Sequence, residues 1–318
     1  MYLSQQKSIG FKMTNVKIKA PYWEIAANLY FPENFNQTEK YPSIISAHPI
    51  GSCKEQTSGN VYAKALAKAG FVVIAFDASF QGESGGEPRS IENPTLRVED
   101  FRLVADYLVT LNYVDENRIG VLGICGGGGY ALNAAMTEKR IKAVGTVDAV
   151  NFGRLSREGF SQWNPLEKLE LIAKQRTAEA RGEVRRVDGL LPNTVSEAQA
   201  AGINDIDVLE ATEYYKTERG QHPNGESKAL FSHSAVSIGW DAFHLAEVLL
   251  TQPLLIVAGD KVGGFGSYRD SLEIYGRARS ENKQLLILEG WSHYDLYDKS
   301  EPVAQALAKL IPFYQKYL

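Results

Sequence analysis

Short, nearly continuous apolar segments alternate with segments of helical spacing along most of the chain. SIISAH, FVVIAFD, RIGVLGI and IKAVGTV are apolar runs typical of strands covered on both faces in a parallel sheet. Segments with apolar residues three and four positions apart lie between them, including VYAKALAKA, GYALNAAM and residues 97–113. The alternation predicts successive βαβ units and therefore an α/β fold with a mostly parallel, doubly wound sheet.

The N-terminal region has a different pattern. Apolar and polar residues alternate through residues 16–19 and again through residues 23–31, where Pro32 ends the run. This alternation predicts two strands, which we expect to pair at an edge of the sheet.

The strand and helix alternation stops between residues 151 and 250. It resumes with PLLIVAG, a helix near residues 268–279, KQLLILEG and a final helix. A crossover needs only about a dozen residues, so we interpret residues 151–250 as a helical cap or lid insertion and residues 1–150 with 251–318 as the core. PLEKLELIAKQRTAEARGEVRR, ATEYYKTERG and WDAFHLAEVLL lie in the insertion. Its expected seat is the carboxyl edge of the sheet, where ligands bind in such folds; a helical cover without functional consequence is the alternative.

Composition and charge exclude several classes of protein. The chain has 318 residues, 44% of them hydrophobic, and its 34 basic and 38 acidic residues give a net charge of −4. No net positive charge is available for nucleic acid or anionic lipid. The sequence has neither a signal-peptide core nor an apolar run of transmembrane length, so we expect a cytoplasmic protein with no membrane partner. Two cysteines without clustered partners predict neither a disulfide scaffold nor a metal site. We also expect no cofactor.

The most informative motif is G-x-C-x-G, formed by Gly123, Cys125 and Gly127 between the strand RIGVLGI and the helix GYALNAAM. In a nucleophile elbow the central residue occupies a strained turn, and its neighbours two positions away must be nearly free of side chain. Such a turn would lift the thiol above the sheet at a helix N-terminus, which favours the thiolate. The Gly126 N–H would then point at a developing oxyanion.

Two other interpretations of this segment stay open. Gly126, Gly128 and Ala131 satisfy G-x-G-x-x-A after a strand, and Asp148 follows about twenty residues later, as in a dinucleotide-binding fingerprint. That fingerprint normally opens its domain, whereas two βα units precede it here. Alternatively, Cys125 is a small buried residue beside a tight turn.

A nucleophile elbow predicts its partners in chain order, an acid and then a histidine. His293 follows the last strand and is the predicted base; His48 precedes the elbow and is the alternative. Asp260, in the loop after PLLIVAG, is the predicted acid. Three further aspartates could orient the ring instead: Asp270, Asp295 and Asp298.

The second oxyanion donor should come from the loop HPIGSC after the third strand. Because Pro49 has no N–H, the predicted donor is Ile50, with Gly51 as the second choice. We expect His48 to support the shape of this loop and Cys53 to be a packing thiol. The segment FDASFQGESGGEPR is interpreted either as part of the pocket rim or as turn chemistry.

Taken together, these motifs resemble the α/β-hydrolase superfamily from residue 16 to the C-terminus, apart from the insertion. G-x-C-x-G resembles dienelactone-hydrolase-like proteins. HPIGSCKEQ, AFDASFQGESGGEPR, GICGGGGYALNAA and HYDLYD resemble a group that includes polyketide thiohydrolases and acyltransferases. The resemblance implies a triad of Cys125, Asp260 and His293 and an oxyanion hole of Ile50 and Gly126. Dienelactone hydrolases are shorter, lack so large an insertion, and usually place their acid two residues further after its glycine.

The expected activity is hydrolysis of a small-molecule ester, lactone or thioester through an acyl-cysteine intermediate. An acyltransferase with the same triad and a silent ligand-binding homologue are the alternatives. A homo-oligomer remains open. Four aromatic residues of the insertion either line an apolar pocket or belong to the core: Tyr214, Tyr215, Trp240 and Phe243.

Overall fold

A computed structural model describes residues 12–159 and 164–318. Its main feature is an eight-stranded sheet with the order β1-β2-β4-β3-β5-β6-β9-β10. The strands are β1 (Met13–Lys19), β2 (Glu24–Tyr30), β3 (Tyr41–Ala47), β4 (Val72–Phe76), β5 (Val114–Ile124), β6 (Ile141–Val147), β9 (Leu254–Lys261) and β10 (Lys283–Ser292). Strand β1 pairs with β2, and β2 with β4, in antiparallel fashion, whereas the other pairs are parallel. The predicted α/β-hydrolase fold and its antiparallel N-terminal edge are confirmed.

Helices cover both faces of this sheet. The helices of the first part are a π-helical segment (Thr57–Ala63) that continues into α1 (Lys64–Lys68), α2 (Pro94–Val109) and α3 (Gly126–Thr137). Those after the ninth strand are α10 (Ser267–Arg277), α11 (Asp295–Asp298) and α12 (Ser300–Tyr317). Neighbouring strand residues point to opposite faces. Ile45 and Val121 pack with α2 and α3, whereas Ile44 and Leu122 pack on the face covered by α1 and α12. Burial on both faces explains why these strands are continuous apolar runs.

The described residues of segment 151–250, which exclude 160–163, contribute no strand to the main sheet. This segment contains a two-stranded antiparallel sheet and short helices: α4 (Phe152–Glu158), α5 (Pro165–Ala180), β7 (Val187–Gly189), α6 (Val195–Ala200), α7 (Ile206–Lys216), β8 (Lys228–Leu230), a 3₁₀ turn (Phe231–His233), α8 (Ala235–Ile238) and α9 (Ala246–Leu249). The Asn164 side chain caps α5 by accepting from the N–H groups of Leu166 and Glu167. Within the described ranges, no helix has the length and apolar composition needed to cross a membrane.

Candidate functional site

Cys125 lies on the sharp turn between β5 and α3. Its φ of 54° and ψ of −125° are rare for a residue with a side chain. The turn is fixed on both sides, because the Cys125 N–H donates to the Val147 carbonyl (2.9 Å) and the Cys125 carbonyl accepts from the Val150 N–H (2.9 Å). The backbone therefore has the strained geometry that the G-x-C-x-G motif predicts.

The glycines beside Cys125 are needed for close packing. A Cβ added to Gly127 would lie 2.6 Å from the carbonyl oxygens of both Ala47 and His48. A Cβ added to Gly123 would collide with the backbone of Gly127 and Gly128. Helix α3 can approach β3 and β5 this closely only without those side chains.

The dinucleotide-binding interpretation finds no support in this arrangement. A Cβ added to Gly128 would lie 2.8 Å from the Cβ of Ala149, so packing explains this glycine. Asp148 is fully buried, and one of its carboxylate oxygens accepts from the Gly259 N–H. The Asp148 carboxylate is therefore not exposed at a surface where a ribose could bind.

The backbones of Gly126 and Ile50, the two predicted oxyanion donors, lie near each other. The Gly126 N–H hydrogen-bonds to the Cys125 thiol and lowers the pKa of that thiol, although burial outweighs this contact. A Cβ added to Gly126 would lie 3.6 Å from the Ile50 nitrogen. The structure thus places the Ile50 nitrogen close to Gly126, and Ile50 and Cys125 line the same cavity.

Cys125 opens into a cavity of about 660 Å³. The core contributes Ile50, Cys125, Val150, Phe265 and Tyr294 to its lining. The segment 151–250 contributes a mostly apolar wall that includes Leu155, Leu190, Leu191, Ile203, Val208 and Tyr215. The segment 151–250 therefore shapes the space in front of the thiol.

His293 follows β10 and is buried, with a relative exposure of 2%. Its Nε2 lies 3.2 Å from the Tyr297 hydroxyl, and its Nδ1 lies 3.0 Å from the Ser267 hydroxyl. The Tyr297 hydroxyl also hydrogen-bonds to the Cys125 thiol. The predicted nucleophile and base are thus connected through one tyrosine hydroxyl, which the sequence reasoning missed.

The predicted acid, Asp260, is not joined to this ring. Its Oδ1 accepts a hydrogen bond from the Gly290 N–H (2.7 Å), while the hydrogen bonds of the His293 ring go to Ser267 and Tyr297. Asp260 lies near the end of β9, and this bond holds its carboxylate against the backbone near the end of β10. The choice of Asp260 as the partner of His293 is therefore corrected on geometric grounds.

A different aspartate reaches the ring through Ser267. The Ser267 hydroxyl donates to Oδ1 of Asp148 at 3.4 Å, and Oδ2 of Asp148 has no hydrogen-bond partner among the described residues. Asp148 directly follows β6 and has a φ of 47°. It meets the chain-order requirement, since it lies between Cys125 and His293, so the sequence did contain a signal for it.

The other three aspartates have partners of their own. Asp270 forms an ion pair with Arg154, and Asp298 pairs with Arg219. Asp295 accepts from the Ser292 N–H at 3.1 Å. None of the three is hydrogen-bonded to the His293 ring.

Burial dominates the electrostatics of the site. Loss of solvent raises the pKa of the Cys125 thiol to about 12 and lowers the pKa of His293 to about 3. Burial also raises the pKa of Asp148 well above its ordinary value. At neutral pH the thiol and the imidazole are therefore both uncharged. The expected thiolate is not favoured in this state, because desolvation outweighs the helix N-terminus.

His48 supports the loop that carries Ile50. Its Nδ1 donates to the Pro49 carbonyl (2.7 Å), and its Nε2 accepts from the Ala78 N–H (3.0 Å). Arg97 donates to the His48 carbonyl at 2.7 Å. Burial lowers the pKa of this histidine well below its ordinary value, so it is a neutral structural group.

The segment FDASFQGESGGEPR, interpreted from sequence as rim or as turn chemistry, does not line the Cys125 cavity, and of the four predicted aromatic residues only Tyr215 does. Phe80, Gln81, Gly82 and Arg89, from FDASFQGESGGEPR, line a separate cavity of about 230 Å³. Of the four aromatic residues of the insertion, Tyr215 lines the Cys125 cavity and Phe243 is fully buried in the core. Trp240 packs on Tyr130 at 5.1 Å, and Tyr214 packs on Tyr297 at the same distance.

The chain is similar to one protein family over most of its length. The family model of the X-Pro dipeptidyl-peptidase (S15 family) matches residues 23–295. The chain belongs to this family. It is a hydrolase of the α/β-hydrolase kind, whereas the dienelactone-hydrolase-like grouping stays a prediction.

Individual proteins are also similar to this chain. The uncharacterized protein YcjY of Escherichia coli K12 is 44% identical over 302 residues, which cover 94% of this chain and 96% of YcjY. The crystal structure of the hypothetical protein PA2218 from Pseudomonas aeruginosa has a TM-score of 0.86 and 32% identity, covering 97% of this chain and 94% of that one. The thiohydrolase aneE of Aspergillus aculeatus is 30% identical over 103 residues, 32% of each chain.

Proposed function

We propose that this protein hydrolyses esters, lactones or thioesters of apolar acyl groups through a covalent acyl-cysteine intermediate on Cys125. The observation that carries the proposal is the strained turn at Cys125, which holds the thiol beside the Gly126 N–H at the floor of an apolar cavity. A thiol buried only for packing would need neither this backbone conformation nor an adjoining cavity.

In the first half of the proposed reaction, the uncharged Cys125 thiol attacks the substrate and the uncharged His293 imidazole accepts its proton. The Cys125 sulfur bonds to the carbonyl carbon while its proton moves through the Tyr297 hydroxyl to Nε2 of His293. The oxyanion receives hydrogen bonds from the N–H groups of Gly126 and Ile50, each of which typically contributes about 10²- to 10³-fold in rate. Collapse of the tetrahedral intermediate breaks the bond to the leaving group, which takes the proton from the imidazolium.

The second half returns the enzyme to its starting state. A water molecule gives a proton to His293 and attacks the acyl carbon, and the carbon–sulfur bond then breaks as the proton returns to the thiol. Ser267 holds the Nδ1 side of the ring, with Asp148 behind it. In this scheme Asp148 performs the orienting role that the sequence assigned to Asp260.

The nature of the nucleophile and of the cavity narrows the substrate. A thiolate is a good leaving group, so attack on an amide tends to revert, whereas thioesters, lactones and activated esters go forward. The apolar wall fits an apolar acyl chain, and the volume lies in the usual range for small-molecule sites. The partial likeness to a thiohydrolase supports the same class of substrate.

A substrate panel tests the proposal. The wild type, Cys125→Ala and the control Cys53→Ser are incubated with p-nitrophenyl esters, acyl thioesters and an X-Pro anilide, and intact masses are recorded during turnover. We expect an acyl adduct and released product with the wild type and Cys53→Ser, and neither with Cys125→Ala. Equal labelling of all three proteins, or cleavage of the anilide alone, would contradict the proposal. If the acyl group is transferred to an added alcohol or amine in preference to water, the protein is an acyltransferase.

A further inference from the structure

A second cluster of reactive side chains lies outside the Cys125 cavity. One ligand atom each from Cys53, Glu55 and His222 lies within 4.8 Å of the others. The Cys53 sulfur is 3.5 Å from Nδ1 of His222, and that nitrogen is 3.9 Å from Oε2 of Glu55. Cys53 is fully buried, and it lies 169 residues from His222 in sequence, so the cluster is formed only by folding.

These three groups are the ligand types that Zn²⁺ prefers. Zinc binds thiolate sulfur at about 2.3 Å, imidazole nitrogen at about 2.0 Å and carboxylate oxygen at about 2.0–2.2 Å, usually in tetrahedral geometry. Such bond lengths place neighbouring ligand atoms roughly 3.3–3.6 Å apart. The separations of 3.5 and 3.9 Å need only small side-chain movements to reach this spacing, and three protein ligands leave a fourth position for water.

The local charge also favours a divalent cation. Lys54 is buried and its Nζ pairs with three carboxylates: Glu55 (2.6 Å), Asp77 (2.8 Å) and Glu83 (2.6 Å). One positive charge faces three negative charges, so this group has two negative charges in excess. A divalent cation would offset the excess charge and displace the thiol proton to solvent.

We propose that Cys53, Glu55 and His222 bind a thiophilic divalent cation, with Zn²⁺ as the fitting ion. On binding, a sulfur–metal bond forms and the thiol releases one proton. The Asn224 N–H now donates to Nδ1 of His222 at 3.2 Å, and the metal replaces this contact. The prediction that the chain has no metal site considered neighbours in sequence only, and this site is formed by residues distant in sequence.

The site joins the core to the insertion. Cys53 belongs to the loop that carries Ile50, and His222 belongs to the insertion segment that leads to Ser227. The two segments already touch, since the Ser227 N–H donates to the Gly51 carbonyl at 3.0 Å. A bound cation would therefore fix the position of the Ile50 loop relative to one wall of the cavity.

Metal titration of the full chain tests this site without depending on activity. Metal-free wild type, Cys53→Ser, His222→Asn, Cys125→Ser and His244→Asn are titrated with Zn²⁺ by calorimetry and with Co²⁺ by absorption, which shows a thiolate-to-cobalt charge-transfer band. The Cys125→Ser control removes the other thiol, and His244→Asn removes an exposed histidine. Melting temperatures without metal verify that each variant is folded.

We expect one equivalent of metal per chain, with the cobalt–thiolate band, in the wild type, Cys125→Ser and His244→Asn. We expect at least a tenfold weaker affinity in His222→Asn and loss of the band in Cys53→Ser. If the band persists in Cys53→Ser and disappears in Cys125→Ser, the metal occupies the catalytic thiol and the proposed site is wrong. Absence of stoichiometric binding by the wild type also overturns it.

Discussion

Deprotonation of Cys125 offers the sharpest check on the electrostatics of the site. Burial raises the pKa of this thiol from its ordinary 9.0 to about 12. At pH 7 the thiolate fraction is therefore about 1,000-fold smaller than that of an ordinary cysteine. A thiolate of higher pKa is more nucleophilic by about 16- to 30-fold over this range, given a Brønsted coefficient of about 0.4–0.5. We expect alkylation of Cys125 by iodoacetamide to be about 30- to 60-fold slower than that of an unperturbed thiol.

Mass spectrometry of peptides measures this rate at Cys125 and Cys53 separately, with a free cysteine peptide as the internal reference. Slow reaction alone would not be decisive, because a closed cavity slows reagent entry at any pH. The pH profile is decisive, since shielding leaves its shape unchanged. The rate should rise about tenfold per pH unit from pH 7 to pH 10, as expected for a thiol whose pKa lies near 12.

An alkylation rate that reaches a plateau below about pH 8 would refute the uncharged thiol and imidazole and indicate a thiolate with an imidazolium partner.

The raised pKa of Cys125 also makes the stability of the protein depend on pH. The unfolded chain releases this proton near pH 9.0, whereas the folded chain keeps it to about pH 12. The free energy of unfolding contributed by this thiol should therefore be fully present below pH 9 and decrease as the pH rises above it.

Three further predictions concern single residues. Ser267→Ala should lower kcat by roughly tenfold or more, a part of the 10²–10⁴ typical of general acid–base catalysis. The kcat of Asp260→Asn should stay within about twofold of the wild type. If steady-state kinetics show a larger loss in Asp260→Asn than in Ser267→Ala, Asp260 is the acid after all. Tyr297→Phe should lower kcat with little change in KM and raise the apparent pKa in the alkylation profile, because the hydroxyl lowers the pKa of the thiol; an unchanged profile would contradict this contact. Gly127→Ala should cost about 1–3 kcal/mol in urea unfolding by overpacking. The control Gly276→Ala should not destabilise the protein, because its added Cβ meets no atom within 4 Å beyond the backbone of its own helix; equal effects would argue against the packing account.

The fold could be predicted from sequence because the relevant signals are local. SIISAH and RIGVLGI are apolar on both faces, and a strand with that pattern must be covered on both sides. The glycines around Cys125 likewise report a local backbone requirement. Helix α5 could be predicted in its first part, but Gly182, with a φ of 94°, lies just beyond its end at Ala180, so the basic residues that follow are not helical.

The partner of His293 could not be chosen from sequence because several aspartates follow Cys125 and precede or adjoin the histidine. Strand ends limit the choice to Asp148 and Asp260, but the direction of each side chain depends on the local backbone. Asp148 has a positive φ and lies behind Ser267, whereas Asp260 bonds to the backbone of Gly290. A serine between the acid and the ring leaves no spacing signature that a motif search can find.

The segment 151–250 has two opposing effects on the proposed reaction. Its apolar wall removes water from Cys125, which disfavours the thiolate and leaves the neutral thiol that Tyr297 and His293 must deprotonate during attack. The same removal of water strengthens the hydrogen bonds of Gly126 and Ile50 to a developing oxyanion, because such bonds are worth more at low dielectric constant. A substrate that fills the cavity excludes more water, so it both disfavours the thiolate further and strengthens the hydrogen bonds to the oxyanion. The site therefore fits acyl groups that are already activated, since these need little thiolate character and gain most from a dry oxyanion hole.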